Sequence, residues 1–171
     1  MFALKKCLRV IDLLNESVAR IVSWVVVLII ATTVYEVIMR YLFNAPTDWV
    51  FEFNYLIHGP YFLLLGAYTF AINGHVNVDI VYGRLSPRTK AIVDLFTMPL
   101  FFFFVLMMLI YGSRFALNSL SFHERLSSAW APPIYPIKFI IPIAALLLLL
   151  QGIARYIRNL HLAITGKEGE L

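Results

Sequence analysis

The chain has 171 residues, of which 61% are hydrophobic and only 14% charged, with a formal net charge of +4. A soluble domain of this size has about 25% charged and about 45–50% apolar residues. The composition therefore excludes an ordinary soluble domain and indicates an integral membrane protein.

Four apolar runs are long enough to cross a bilayer, because a transmembrane helix needs about 20 residues at a rise of about 1.5 Å each. They extend approximately over residues 18–43, 49–72, 91–115 and 133–156. The short alternating strands of a membrane barrel are absent, so helices are left to satisfy the backbone in lipid. We predict an all-α integral membrane protein with four transmembrane helices, forming a single domain over residues 1–171. No small-residue cleavage site follows the first run, which we expect to be retained.

The first fifteen residues predict an amphipathic helix ahead of the first span. Leu4, Leu8, Ile11 and Leu14 recur at helical spacing, and the charged residues of this segment are turned away from them. This pattern is typical of a helix that lies at the cytoplasmic membrane interface. The pattern fits equally well an amphipathic segment that only leads into the first span and has no role of its own.

The distribution of Lys and Arg predicts the orientation of the spans. The N-terminal segment, the second connection and the C-terminal tail hold ten basic residues, whereas the first and third connections hold three. Cytoplasmic loops are enriched in Lys and Arg, so both termini are expected in the cytoplasm. Topology then explains the net positive charge, and no nucleic-acid partner is needed.

The residue types that catalysis or a resident cofactor would need are scarce. Cys7 is the sole cysteine, which excludes a dithiol relay or a cysteine-ligated cluster. His58 is the one histidine inside a span and does not suffice for a bis-histidine haem; we interpret it as a packed residue. His75 and Asp79 are spaced i, i+4, but two ligands without a third make a weak metal site. We therefore predict a protein that is not an enzyme and has no cofactor or metal site.

The segment between the first two spans predicts a tight outer hairpin. Asn44 and Pro46 are typical turn residues, and Trp49 suits the depth of a membrane interface. Thr47 or Asp48 can cap the first amides of the second helix. Acidic residues at this position also favour the positive end of the helix dipole.

Charged residues at membrane depth need partners, because each costs about 2.5–3.5 kcal/mol at the centre of a helix. Glu36 and Arg40 are four residues apart and are predicted to pair on one face of the first helix. Glu52 lies one turn inside the second helix, where Arg40 can also reach it across the hairpin. Lys138, near the outer end of the fourth span, can extend outward or meet Glu52 or Glu36.

Asp94 lies near the cytoplasmic end of the third span, where Arg88 or Lys90 is the expected partner. A porter that works alone needs ionisable groups along a path near mid-bilayer. The charges of this chain gather toward the ends of the spans instead. This distribution favours docking and orientation over conduction.

An ordered set of motifs from Arg40 to Asp79 carries a family resemblance. Arg40 is followed by "LFNAPTDW", by Glu52 three residues after the tryptophan, by Gly66, and by "GHVNVD" after the second span. The set resembles the DctQ-type small permease subunit of tripartite ATP-independent periplasmic (TRAP) transporters. One departure is Phe51, at a position where many members carry an acid adjacent to the one retained here as Glu52.

The resemblance implies specific partners and a location. The subunit would bind a large DctM-type permease subunit in the bacterial inner membrane, surrounded by membrane lipid, and a periplasmic substrate-binding protein would deliver an organic acid anion. Transport would be driven by an ion gradient, with sodium expected in the large subunit and no cofactor here. The candidates for subunit contacts or structural ion pairs are Glu36, Arg40, Trp49, Glu52, His75, Asp79 and Lys138.

Two other functions also fit four apolar spans. One is an autonomous, proton-coupled exporter of small molecules that uses Glu36; its helix-mate Arg40 opposes this, because a paired carboxylate stays ionised. The other is an assembly factor for an unrelated membrane complex.

Overall fold

The computed structural model describes residues 2–72 and 85–166, with side chains from Lys5 onward. In these ranges the backbone is helical apart from the connections and one isolated bridge between Arg125 and Pro133. The helices are α1 (Phe2–Ser23), α2 (Val25–Leu42), α3 (Val50–Ala71), α4 (Pro87–Ser121), α5 (Tyr135–Lys138) and α6 (Ile140–Thr165). The predicted all-α fold is confirmed.

Three helical stretches are long and apolar enough to cross a membrane, namely Lys5–Leu42, Pro87–Ser121 and Tyr135–Thr165. The fourth, α3, has 22 residues and includes several polar ones. At 1.5 Å per residue its length is about 33 Å, which matches a hydrocarbon core of about 30 Å. Each predicted span thus has a helical counterpart, while the membrane boundaries stay predictions.

Two helices are longer than their apolar runs predict, because the residues at their ends are polar. α4 begins at Pro87, which suits the first helical position, and the Ser86 hydroxyl accepts a hydrogen bond of 3.2 Å from the Thr89 N–H. α6 continues to Thr165 and ends at Gly166, whose φ of 69° is the left-handed conformation that terminates helices. Apolar runs alone do not reveal these ends.

The first helix differs from its prediction in length and in buried face. α1 runs to Ser23 and is separated from α2 by Trp24, whose N–H donates to the Ile21 carbonyl at 3.2 Å. Leu14, predicted on the apolar face, is 42% exposed. The residues of α1 that are buried are Leu8, Asn15, Ala19 and Val22. The helix packs against α3 and α6 through this face, and its place at the membrane interface stays a prediction.

Small residues let α4 and α6 pack closely. α6 makes its most extensive contact with α4 and also packs against α3 and α1. Gly112 of α4 faces Ile141, and Gly152 of α6 faces Phe101. Small side chains allow close approach of helices in membranes, where water does not drive them together. α6 is therefore the central helix of the bundle.

We expect Gly152→Ala to loosen the contact between α4 and α6. The added methyl group would lie 2.4 Å from the Cε1 atom of Phe101, whose ring is stacked on Phe70 at 4.7 Å. Overpacking of this kind costs about 1–3 kcal/mol. Gly66→Ala is the matched control, because its methyl group would meet nothing within 4 Å. Thermal unfolding in detergent should show a lower midpoint for Gly152→Ala, and equal midpoints would contradict the packing.

Candidate functional site

Glu36 is the centre of the hairpin between α2 and α3, which we call the outer hairpin after its predicted orientation. Its Oε1 accepts hydrogen bonds from Arg40, at 2.6 Å from Nη2 and 3.2 Å from Nε. Its Oε2 accepts one from the Thr47 N–H at 3.2 Å and another from the Thr47 hydroxyl. The predicted pair of Glu36 and Arg40 is confirmed. Both carboxylate oxygens are engaged, and it is Oε2, through Thr47, that joins the turn to α2.

The turn is confirmed, but the predicted helix cap is wrong. Asn44 adopts a left-handed φ of 48°, which asparagine tolerates well. The residue at the N-cap of α3 is Trp49, with no side-chain cap. Thr47 instead turns back to Glu36 on the preceding helix, and Asp48 is exposed. The Glu36 carboxylate attracts Thr47 more strongly than the helix amides do, because a charged acceptor strengthens a hydrogen bond.

Glu52 contacts the second outer loop, residues 122–134, and not Arg40 or Lys138. Its Oε2 accepts a hydrogen bond of 2.7 Å from the Ser128 hydroxyl. The ring of Trp49 lies 6.3 Å from that of Trp130 in the same loop, in an edge-to-face arrangement. These contacts join the outer hairpin to the second outer loop. No sequence signal marks Ser128 or Trp130 as partners of residues so distant along the chain.

Lys138 pairs with Glu124, which corrects the predicted contact with Glu36 or Glu52. Its Nζ is 2.5 Å from Oε2 of Glu124 and 4.0 Å from the ring centroid of Phe115. The Lys138 side chain is 14% exposed and that of Glu124 is 41% exposed, so the pair lies at the edge of the bundle. The hydrogen bond from Lys138 holds the pKa of the Glu124 carboxyl below its usual value of 4.5.

The lowered pKa of Glu124 predicts a loss of stability in acid. Glu124 takes up a proton at a higher pH in the unfolded chain than in the folded one. Its contribution to the free energy of unfolding is therefore complete above pH 4.5, and it disappears as the pH falls through the folded-state pKa. Thermal unfolding measured from about pH 7 to about pH 3 should show a smaller acid loss for Glu124→Gln than for the parent. Identical pH profiles would contradict this.

At the opposite end of the bundle, Asp94 joins α4 to α6. Its Oδ2 accepts hydrogen bonds of 2.8 Å from Arg155 and 3.1 Å from Asn159. The Arg155 guanidinium also lies 4.8 Å above the Phe70 ring of α3. The sequence predicts partners on the same helix, but Arg88 donates to the Ala163 carbonyl at 2.9 Å. The strong partner of Asp94 comes from α6, across the bundle.

A chain of polar contacts fastens α1 to α6. Asn15 donates to the Gln151 side-chain carbonyl at 2.8 Å, and Gln151 donates to Asp12 at 3.0 Å. Arg158 pairs with Asp12 at 2.5 Å. Asn15 and Gln151 are 2% and 1% exposed. Polar residues thus occupy the α1–α6 contact, which the apolar pattern of α1 does not predict.

A cavity of about 830 Å³ lies beside the Asp94–Arg155 pair, between α3, α4 and α6. Its polar side chains are Asp94, Thr97 and Arg155, and the remaining walls are aromatic and aliphatic. The two charged groups already satisfy each other. An organic anion with its coupling ions needs several unpaired polar groups, so this cavity does not suit such a cargo.

The histidine predictions have separate outcomes. His58 is exposed on α3, which corrects its interpretation as a packed residue, and its Nδ1 lies 2.9 Å from the Asn54 carbonyl of the same helix. His75 and Asp79 lie outside the described residues. Among the residues that are described, His, Cys, Asp and Glu side chains do not gather in groups of three that could hold a metal ion.

The helical bundle, with three stretches long and apolar enough to cross a membrane, defines a multi-pass membrane protein. A model of the family described as tripartite ATP-independent periplasmic transporters, DctQ component, matches residues 29–162, well over half of the chain. The chain belongs to this family. It is a small subunit of a TRAP transporter and a multi-pass inner-membrane protein, and its family is one of transporter components and not of enzymes. The search of curated proteins gives no match.

Proposed function

We propose that this subunit supports a large DctM-type permease subunit, which performs ion-driven uptake of an organic acid anion delivered by a periplasmic binding protein. The observation that carries the proposal is the position and pairing of the charges. Glu36, Asp94 and Lys138 each have a partner within the chain and lie toward the helix ends. The substrate and the coupling ion, for which we propose sodium, would be bound by the large subunit.

The outer surface supports a role in assembly. Contacts from Glu36 and Glu52 tie the outer hairpin to itself and to the second outer loop. Such a fixed surface suits contact with the large subunit or with the docked binding protein, because a preorganised surface loses less conformational entropy on binding.

The alternative of an autonomous proton-coupled exporter gains no support from the described residues. Glu36, the proton-binding group it would need, accepts hydrogen bonds through both carboxylate oxygens from Arg40 and Thr47. A proton carrier needs a carboxylate that is released and exposed in turn. We therefore retain the scaffold function.

Purification from native membranes tests this proposal. An affinity-tagged copy of the chain should retain a multispanning DctM-type protein in a mild detergent, identified by mass spectrometry. Recovery of the chain alone from membranes that contain the large subunit would overturn the scaffold function. An untagged strain is the control for nonspecific recovery.

The proposed orientation places both termini in the cytoplasm. In a Cys7→Ser background, Ala45→Cys in the outer hairpin should react with a membrane-impermeant thiol reagent from outside. Ser86→Cys, at the start of α4, should react only after the membrane is opened. This expectation rests on the basic residues near α1, α4 and the C-terminus, because Lys and Arg are enriched on the cytoplasmic side. The reverse labelling pattern would contradict this orientation.

A further inference from the structure

One exposed face of α3 combines large aromatic side chains with a histidine and a glycine. It comprises Phe51, Tyr55, His58, Gly59 and Phe62, all exposed, and we call it the α3 face. The three aromatic residues Phe51, Tyr55 and Phe62 are 77%, 70% and 67% exposed. At its centre are a polar imidazole and a glycine.

The position of His58 makes lipid a poor neighbour. It follows Val50, the first residue of α3, by eight residues, or about 12 Å along the helix axis. Its Nδ1 is engaged by the Asn54 carbonyl, whereas its Nε2 makes no hydrogen bond within the described part of the chain. Lipid tails offer neither a donor nor an acceptor at this depth, so an imidazole facing them loses the hydrogen bonds it makes in water.

Gly59 gives a second, independent reason to expect a protein helix as the neighbour of the α3 face. A methyl group placed on it would meet nothing within 4 Å, so the surface there is open. Gly66 of the same helix is equally open, whereas Gly112 and Gly152 are already covered by neighbouring helices. An uncovered glycine in a transmembrane helix allows another helix to approach closely.

The exposed face of α4 has a different composition. Its large exposed side chains include Phe96, Leu100, Phe103, Phe104 and Met107, which are apolar and suit lipid tails. The polar groups beside them are already engaged, because Asp94 pairs with Arg155 and Thr97 donates to the Asp94 carbonyl. His58 of the α3 face, by contrast, has a ring nitrogen without a hydrogen bond within the described residues.

We propose that the α3 face is the surface on which the large permease subunit docks within the membrane. The partner would be a transmembrane helix that packs over Gly59 and presents a hydrogen-bonding side chain or an unpaired backbone carbonyl to His58. Tyr55 and Phe62 would flank this contact with their rings. The inference rests on the proposed function, since it takes the large subunit as the partner.

Site-specific photocross-linking in the intact complex tests the position of the interface. A benzophenone amino acid replaces Tyr55 or Phe62 on the α3 face, and Leu100 or Phe103 on the α4 face as controls of similar exposure. The α3 positions should yield a covalent product with the large subunit, and the α4 positions should not. Products from the α4 positions alone would overturn the inference while leaving the proposed function intact.

Substitutions test the role of the imidazole and of the glycine. His58→Leu and Gly59→Leu should each reduce the large subunit recovered with the tagged chain by about tenfold, the loss expected for an unmade hydrogen bond or a blocked contact. His58→Gln, which keeps hydrogen-bonding groups, should recover part of it, and Leu100→Ala is the control. The thermal midpoint of the isolated subunit should stay unchanged in His58→Leu. Unchanged recovery in both leucine variants would overturn the inference, whereas no recovery with the parent chain would overturn the proposed function itself.

Discussion

Asp94→Asn is expected to cost the subunit about 3 kcal/mol of unfolding free energy, the largest effect of any single substitution proposed for this chain. The change leaves the Arg155 guanidinium without its counter-charge between α3, α4 and α6. A buried pair that loses one partner costs about 3–5 kcal/mol, and the side chains here are 22% and 17% exposed, which places the effect at the low end. Denaturant unfolding in detergent micelles measures it.

A second ion pair of the same chain is the matched control. Arg20 and Glu16 are also 2.8 Å apart, but their side chains are 75% and 48% exposed. Exposed pairs contribute about 0–1 kcal/mol, so Glu16→Gln should change little. Equal losses for Asp94→Asn and Glu16→Gln would show that the Asp94–Arg155 pair does not hold α4 to α6.

Glu36→Ala is expected to impair the outer hairpin more than Arg40→Gln does. The alanine removes the acceptor for the Thr47 N–H and hydroxyl as well as for Arg40, whereas Arg40→Gln leaves the Thr47 bonds in place. Polar groups left without partners in partly buried positions destabilise the fold. Uptake by the complete three-component system, together with recovery of the large subunit, should fall further for Glu36→Ala.

Double-mutant cycles distinguish the two acids near Arg40. Arg40→Gln combined with Glu36→Gln should show coupling, because the two side chains are in contact at 2.6 Å. Arg40→Gln combined with Glu52→Gln should be additive, because Glu52 accepts its hydrogen bond from Ser128 and not from Arg40. Coupling of Arg40 with Glu52 would contradict this geometry of the hairpin.

Local features of the fold were predictable from the sequence. Apolar runs of sufficient length predict the spans, because in lipid a helix satisfies all of its backbone hydrogen bonds internally. The pair of Glu36 and Arg40 follows from helical spacing alone, and the turn at Asn44 follows from turn chemistry. Each of these depends on residues that are close along the chain.

Contacts between helices were not predictable in the same way. The pairing of Asp94 with Arg155, and of Glu52 with Ser128, depends on how each helix is rotated about its axis. An almost uniformly apolar helix such as α4 has no polar face to fix that rotation. For α1 the apolar stripe is only partly right: Leu8 of the stripe is buried, but hydrogen bonds of Asn15 and Asp12 with α6 turn a partly polar face inward.

Reconstitution in liposomes tests the central claim most directly. Liposomes that hold this chain, the large subunit and the binding protein, under an inward ion gradient, should take up an organic acid anion. Liposomes with this chain and the binding protein but no large subunit should take up none, because Glu36, Asp94 and Lys138 are each paired within the chain toward the helix ends. Gradient-driven uptake by this chain without the large subunit would contradict the account.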